Sequence, residues 1–316
     1  MHILVTGGAG YIGSVATRML LDAGFQVRVL DDLSTGHRDA VPTDTEFVQV
    51  SILDELDQHL QGIDAVMHFA GKSLVGESMQ KPDLYWSVNR DGSVNLINAM
   101  KRNGINKLVF SSSAATYGEP TSIPIKEDAA TLPTNVYGET KLAVDQLLAA
   151  HSQWLSSVSL RYFNVAGALA TSDDVVGERH QTETHLIPNV INWISHKKPV
   201  QVFGKDWPTP DGTCIRDYVH VVDLIEAHIS ALKILSAPVH HVINLGSGRG
   251  DSVLEVIQAI EAQLEISANL EFVPRRFGDP AVLVAAYDRA HDLLGWSPKR
   301  GMDQMVQDAI RSKTGQ

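Results

Sequence analysis

The first thirteen residues, MHILVTGGAGYIG, constrain this chain more than any other segment. An apolar, β-branched run at His2–Thr6 enters a turn in which Gly7, Gly10 and Gly13 recur at every third position. Helical spacing then runs from Ile12 and stops at Gly24. Glycines at these places permit a tight turn, a close backbone approach to a pyrophosphate, and close packing of helix on strand. The helix N-terminus adds unpaired N–H groups and a partial positive charge, which suit phosphate. A glycine triplet alone is weak evidence. Here it sits between a strand and a helix, and Asp31 closes the next strand 18 residues after Gly13, where a ribose-binding carboxylate belongs. Asp32 adds a second negative charge. Two carboxylates repel a 2′-phosphate, so the pattern favours NAD over NADP. The competing reading is a structural glycine turn beside solvated acids.

The pattern beyond the turn alternates apolar runs with helical spacing. Strands are expected at Phe25–Asp32, Glu46–Val50, Ala65–Ala70, Lys107–Ser113 and Val158–Phe163, and helices at Leu53–Leu60, Leu84–Arg102 and Tyr137–Trp154. Strands separated by helices imply βαβ units and a parallel sheet. After residue 165 the alternation breaks into Gly/Pro/Thr/Asp-rich stretches, with helices expected at 187–196, 223–235, 252–264 and 302–312. The expected fold is therefore α/β, a Rossmann-type doubly wound parallel sheet over residues 1–165. A smaller, mixed α/β C-terminal substrate lobe at 166–316 sends parts back to that sheet. A length of 316 residues allows about two such units.

Composition excludes some functions. Lys and Arg number 26 against 37 Asp and Glu, a net charge of −11, which argues against non-specific nucleic-acid or anionic-membrane binding. Cys214 is the one cysteine, so no intramolecular disulfide or multi-cysteine metal cluster can form, and the chain reads as intracellular and cytoplasmic. The start of the chain lacks the basic and long apolar features of a signal peptide, and no run reaches the roughly 18 apolar residues of a membrane helix.

Tyr137 and Lys141 are four apart on an expected helix and so share a face. Such a pair is common by chance and is often packing plus a snorkelling lysine. Following a dinucleotide turn and a strand that ends Ser111-Ser112-Ser113, it suggests acid–base chemistry. Free tyrosine, with a pKa of about 10, is a poor base at neutral pH. A nearby ammonium and a positively charged nicotinamide both favour the phenolate. Ser113 can hold a sugar hydroxyl within reach of that base.

With these residues in view, the chain resembles the extended short-chain dehydrogenase/reductases and, within them, the UDP-glucose 4-epimerase family. The matching segments are GGAGYIG (7–13), HFAGKSLVGES (68–78), SSSAATYG (111–118), YGETK (137–141), LRYFNVAG (160–167), HLIP (185–188), VFGKDWPTPDGTCIRDYVHVVDL (202–224), NLGSGRGDSVLEV (244–256) and RRFGDPA (275–281). The resemblance implies tightly held NAD, UDP-glucose and UDP-galactose as substrates, and a homodimer formed by the 84–102 and 137–154 helices. It implies cofactor contacts at Gly7, Gly10, Tyr11, Ile12, Gly13, Asp31, Asp32, Ser51, Ile52, Phe69, Ala70, Gly71, Asn89, Ser111, Tyr137, Lys141 and Phe163. It makes Ser113, Tyr137 and Lys141 the catalytic group. It implies substrate contacts at Ser113, Asn164, His185, Leu186, Phe203, Arg216, Arg276 and Asp279, and makes Leu283, four residues after Asp279, a border of the sugar pocket. The chain departs from the commonest pattern at Asp32, Ser51, Lys72-Ser73 and Val136, none of which removes a group the chemistry requires.

The rival readings are weaker. Related 4,6-dehydratases need an acidic pair where this chain has Ala114-Ala115. A 4-keto reductase or another epimerase of the superfamily is a second rival. A non-catalytic NAD-binding sensor would have no need of Ser113, Tyr137 and Lys141. Among the thirteen histidines, His68 reads as a satisfied core residue and His185 as a pocket residue. No His/Asp/Glu spacing suggests a metal site, and Asp173-Asp174 reads as a solvated loop.

Overall fold

A computed structural model of the chain describes residues 1–171, 175–180, 183–276 and 279–314. Strands β1 (His2–Thr6), β2 (Gln26–Asp31), β3 (Glu46–Gln49), β4 (Ala65–His68), β5 (Lys107–Ser113) and β6 (Ser156–Tyr162) appear where the apolar runs place them. Together with a strand from the C-terminal half, β12 (Val239–Leu245), they form a parallel sheet in the order β12-β6-β5-β4-β1-β2-β3.

Alternation along β1 explains the layering, since successive side chains point to opposite faces. Ile3 and Val5 pack on one face with α1 (Tyr11–Asp22), α7 (Val221–Ile234) and α9 (Asp288–Leu294). Leu4 packs on the other face with α4 (Gly92–Arg102) and α5 (Val136–Ala150). A parallel sheet covered on both faces needs strands apolar on both sides, which is why β1 and β4 read as continuous apolar runs.

The C-terminal half builds a second core around α6 (Leu186–Ser195), α8 (Val253–Leu264), α10 (Met302–Thr314) and the parallel pair β10 (Val200–Phe203) and β14 (Leu270–Val273). Strand β11 (Ile215–His220) joins the halves. It pairs with β7 (Asn164–Ala166), which follows β6 directly, and with β13 (Gly250–Ser252) and β15 (Val282–Leu283). Strands β8 (Leu169–Ala170) and β9 (Val175–Val176) form a small antiparallel pair against α10.

Three expected helices are corrected. Leu53–Leu60 holds only a 3₁₀ turn at Asp57–His59. Local side chains take its backbone groups instead: the Ser51 N–H donates to Asp54, and the Asn95 amide donates to the carbonyls of Ile52 and Asp54. The 84–102 helix is continuous but irregular. It is preceded by α2 (Val75–Gln80), starts as α3 (Pro82–Tyr85), passes through a π-helical turn at Trp86–Asp91, and becomes regular only in α4. The 137–154 helix ends at Ala150 and unwinds through a turn into β6. Asp173-Asp174 lies outside the described residues. Among those described, no helix is long and apolar enough to cross a membrane.

Candidate active site

The chain leaves β1 toward β2 and leaves β4 toward β5, in opposite directions across the sheet. In a doubly wound sheet a crevice opens at such a switch point, beyond the carboxyl ends of the strands. Here a cleft of about 710 Å³ occupies that place, with Gly7 and Asp31 among its lining residues at one side and Asp279 and Leu283 at the other.

The β1–α1 turn is shaped by contact. Gly7 has φ +72°, and a Cβ on Gly13 would lie 2.1 Å from the Gly7 carbonyl oxygen. Only glycine at 13 therefore lets the helix press onto the turn. Gly10 is different: its Cβ would meet nothing nearer than 3.4 Å, and it lines the cleft. Asp31 braces the turn from below, accepting the Ala9 N–H at 2.9 Å and the Leu33 N–H at 2.8 Å. Burial pushes its carboxyl up, and those two bonds oppose the rise. Asp32 is exposed beside it. An open glycine face, a helix N-terminus and a held carboxylate fit the pyrophosphate and ribose of NAD.

Strand β5 ends at Ser113, whose hydroxyl accepts the Ala115 N–H at 3.1 Å and caps the next turn. Helix α5 starts on Asn135, which accepts the Gly138 N–H at 2.9 Å. A Cβ on Gly138 would lie 2.4 Å from the Ala115 carbonyl oxygen, so this glycine lets α5 rest against that turn. Tyr137 thereby comes within hydrogen-bonding reach of Ser113. One turn later the buried Lys141 Nζ donates to the Ser111 carbonyl at 2.8 Å and sits 5.9 Å from the centre of the Tyr137 ring. Burial lowers Lys141 to about 8, with Asp145 opposing. Burial also raises the Tyr137 phenol, with Ser113 opposing. The expected fall in the phenol's pKa is therefore not met by the protein's own groups: desolvation outweighs the hydrogen bond from Ser113.

Most expected contacts line the one cleft. Tyr11, Ile12, Ile52, Phe69, Ala70, Gly71 and Ser111 do so on the dinucleotide side. Phe163, Asn164, His185, Arg216, Asp279 and Leu283 do so at the far end. Register brings that end together, since Arg216 pairs with Leu283 across β11 and β15 and its Nη2 lies 3.9 Å from Asp279. Ser51, Asn89, Leu186, Phe203 and Arg276 are not lining residues of the cleft. Ser51 turns its hydroxyl to the Leu53 N–H. Asn89 is buried behind Gly71, where it holds the backbone of Lys72 and the hydroxyl of Thr140. The Arg276 guanidinium lies 3.9 Å over the Phe203 ring, a cation–π pair. Phe277 and Gly278 of the RRFGDPA segment lie outside the described residues. His68 is a core residue, between the hydroxyls of Thr6 at 2.7 Å and Ser93 at 2.9 Å. Burial drives it down to about 3, so it stays neutral.

One cluster escapes the sequence reading. Glu178 and His180 join His185 on the cleft wall, and Glu183 lies against them. Burial opposes the charged form of His185, but its bonds to Glu178 and Glu183 prevail and push it up to about 10. Burial likewise raises Glu178, and the two histidines outweigh it, holding the carboxyl at about 2. The available signal was a Glu-x-His pair that occurs twice, at 178–180 and 183–185.

Comparison with known proteins gives the family. Residues 3–246 match the NAD dependent epimerase/dehydratase family. The chain is 46% identical to a UDP-glucose 4-epimerase of Corynebacterium glutamicum, over 98% of this chain and 94% of that protein. Its fold is similar to a UDP-glucose 4-epimerase of Stenotrophomonas maltophila solved with bound NAD and formylated UDP-arabinopyranose, at TM-score 0.95 and 40% identity, covering 100% and 98% of the two chains. It is similar also to a UDP-glucose 4-epimerase of Brucella ovis solved with NAD, at TM-score 0.94 and 40% identity over 98% of each chain.

Proposed function

The chain belongs to the NAD-dependent epimerase/dehydratase family, and from that membership we infer that it is a UDP-glucose 4-epimerase, interconverting UDP-galactose and UDP-glucose with NAD held in its cleft. One observation carries the reading: Ser113, Tyr137 and Lys141 line the same cleft as the dinucleotide turn and Arg216.

NAD, when bound, supplies reversible oxidation of a secondary alcohol and a positive ring charge that favours a nearby phenolate. The chain supplies the proton chemistry. As phenolate, Tyr137 takes the proton of the carbon-4 hydroxyl and later returns it to the same oxygen; carbon 4 would be inverted, without net oxidation, because its hydride, held meanwhile on NAD, would come back to the other face of the turned 4-keto sugar. Ser113 holds the sugar hydroxyl against that oxygen. Lys141, fixed by the Ser111 carbonyl, places a cation near the phenol. Arg216 and Arg276 hold the diphosphate, a task that suits planar guanidinium groups. Asp279 takes the uridine ribose, Phe203 the uracil and Asn164 a phosphate. Asp31 takes the adenosine ribose, with Phe69, Ala70, Gly71 and Phe163 along the cofactor. Residues 1–165 thus serve mainly NAD and 166–316 mainly the UDP-sugar. Ala114 and Ala115 offer no acid for a dehydration.

We place the enzyme in the cytoplasm, as a homodimer formed through the outer faces of α4 and α5. Sedimentation equilibrium at twice the 34.4 kDa chain mass is the expected result. The reaction itself is tested with purified protein, UDP-galactose and no added NAD. UDP-glucose should form without NADH accumulating, and denaturation should release NAD(H). Stoichiometric NADH build-up would instead identify a dehydrogenase.

A further inference from the structure

The reaction above makes no use of Glu178, His180 or Glu183, yet these three and His185 bring four candidate ligand atoms within 4.8 Å of one another. In each Glu-x-His pair the carboxylate meets the imidazole two residues on. Glu178 Oε1 lies 2.7 Å from His180 Nδ1 and 2.5 Å from His185 Nδ1. Glu183 Oε1 lies 3.1 Å from that same His185 nitrogen. The two rings are stacked, with centroids 5.6 Å apart.

Hydrogen bonds alone leave this group short of positive charge. Nδ1 of His185 carries at most one hydrogen, which cannot serve two carboxylates fully. Glu183 Oε1 already accepts the N–H groups of Thr184 and His185, and its other oxygen is shielded from water with no hydrogen-bond partner. A carboxylate oxygen so placed is costly, and two carboxylates side by side repel. A single ion among them would satisfy every member.

We propose that Glu178, His180, Glu183 and His185 form a binding site for one divalent transition-metal ion of the zinc class. Two imidazoles and two carboxylates suit Zn²⁺ or Co²⁺, whereas Mg²⁺ and Ca²⁺ prefer oxygen alone. Tetrahedral ligands at about 2.0–2.1 Å from zinc stand about 3.4 Å from one another, a spacing these atoms reach by small side-chain adjustments. Four protein ligands leave no open position, so the ion is structural. It clasps the segment after β9 to His185, the residue that caps α6 on the cleft wall. This site does not depend on the epimerase reading, because its test reads metal and not turnover.

The test uses the full-length protein with its nucleotide retained, stripped of metal by a chelator, then titrated with Co²⁺. One equivalent per chain should bind and give the intense visible bands of four-coordinate cobalt, and Zn²⁺ should displace it. His180→Ala and Glu183→Gln should each weaken binding at least tenfold. Arg179→Ala, in the same segment but paired with Asp39, should bind like wild type. Glu183→Gln is nearly isosteric and carries the test if the alanine variant fails to fold. Substoichiometric binding in wild type overturns the proposal, as does binding unchanged in folded Glu183→Gln.

Discussion

At the scale of single residues, the site's acid–base groups carry opposed demands. Tyr137 and Lys141 are both buried, and burial disfavours the phenolate and the ammonium alike. Tyr137→Phe keeps the ring and removes the hydroxyl. Turnover should fall by about 10²–10⁴-fold, the usual worth of a general acid–base group. UDP-sugar affinity, measured by calorimetry, should change little, and near-normal turnover would remove Tyr137 from its role. Lys141 makes a prediction about stability. Its native value of about 8 lies below the ordinary 10.5, so the unfolded chain binds more protons between those pH values. Stability from this group therefore rises as pH climbs through that window, and the cost is fully present below pH 8. Lys141→Met removes that cost, at most about 3 kcal/mol. Urea titrations of nucleotide-stripped protein should show the variant more stable at neutral pH, with the gap closing toward pH 10.5. A variant less stable at neutral pH would mean the ammonium is no burden. The acid–base residues Ser113, Tyr137 and Lys141 were legible because each is tied to a strand end or a helical repeat. Glu178, His180 and Glu183 were not, because they sit in irregular chain where spacing has no fixed meaning until the fold closes.

At the scale of elements, the same sequence signals succeeded and failed for a common reason. Strands β1, β4, β5 and β6 are buried on both faces, so their runs are dictated by the sheet and can be read directly, whereas the edge strand β3 is half-buried at best. Helix periodicity at 84–102 was also real, but it could not show the π-helical turn at Trp86–Asp91, since the turn shifts register without changing composition. That turn carries Asn89, which bridges Lys72 and Thr140 beneath the cleft and does not line it. Short strands such as β7, β13 and β15 were missed because two or three residues carry no period. The β1–α1 turn separates two uses of glycine. Gly13→Ala would drive a Cβ into the Gly7 carbonyl, so helix and strand must part. It should lower Tm by several degrees and abolish NAD retention. Gly10→Ala has room in the turn, and its methyl group would instead face the cleft. It should keep Tm within about 2 °C of nucleotide-free wild type, on the order of the shift for 1 kcal/mol in a chain this long, while NAD binding weakens at least tenfold. Equal behaviour of the two variants, in Tm and in bound nucleotide after purification, would show that the turn does not divide its work in this way.

At the scale of the whole molecule, the cleft exists because the C-terminal half is stitched to the sheet by backbone. Strand β7 continues from β6 and pairs with β11, which pairs in turn with β15. Just past β15, the Val284 carbonyl accepts the Ile125 N–H at 2.8 Å, and the Ala286 N–H donates to the Ile125 carbonyl at 2.8 Å. Leu283 is thus held from both sides, packed beside Phe163 and Ala114 and lining the same cleft as Ser113 and Tyr137. A side chain so fixed can set the size of the sugar accepted. Leucine is smaller than tyrosine and lacks a hydroxyl, but it is larger than serine. An N-acetyl group is bulkier than the hydroxyl it replaces, and its amide needs a hydrogen-bond partner when buried. Leu283 gives it some room and no bond. UDP-galactose should therefore be the better substrate, with UDP-N-acetylgalactosamine turned over weakly. Discrimination by apolar shape is worth about 1–3 kcal/mol, or roughly 10–200-fold. The measurement is the ratio of kcat/KM for the two substrates in wild type, Leu283→Tyr and Leu283→Ser. Tyrosine should raise the preference for UDP-galactose and serine should lower it, each by about tenfold, or 1.4 kcal/mol. Shifts below about threefold in both variants, with folding intact, would place the gate elsewhere on the wall.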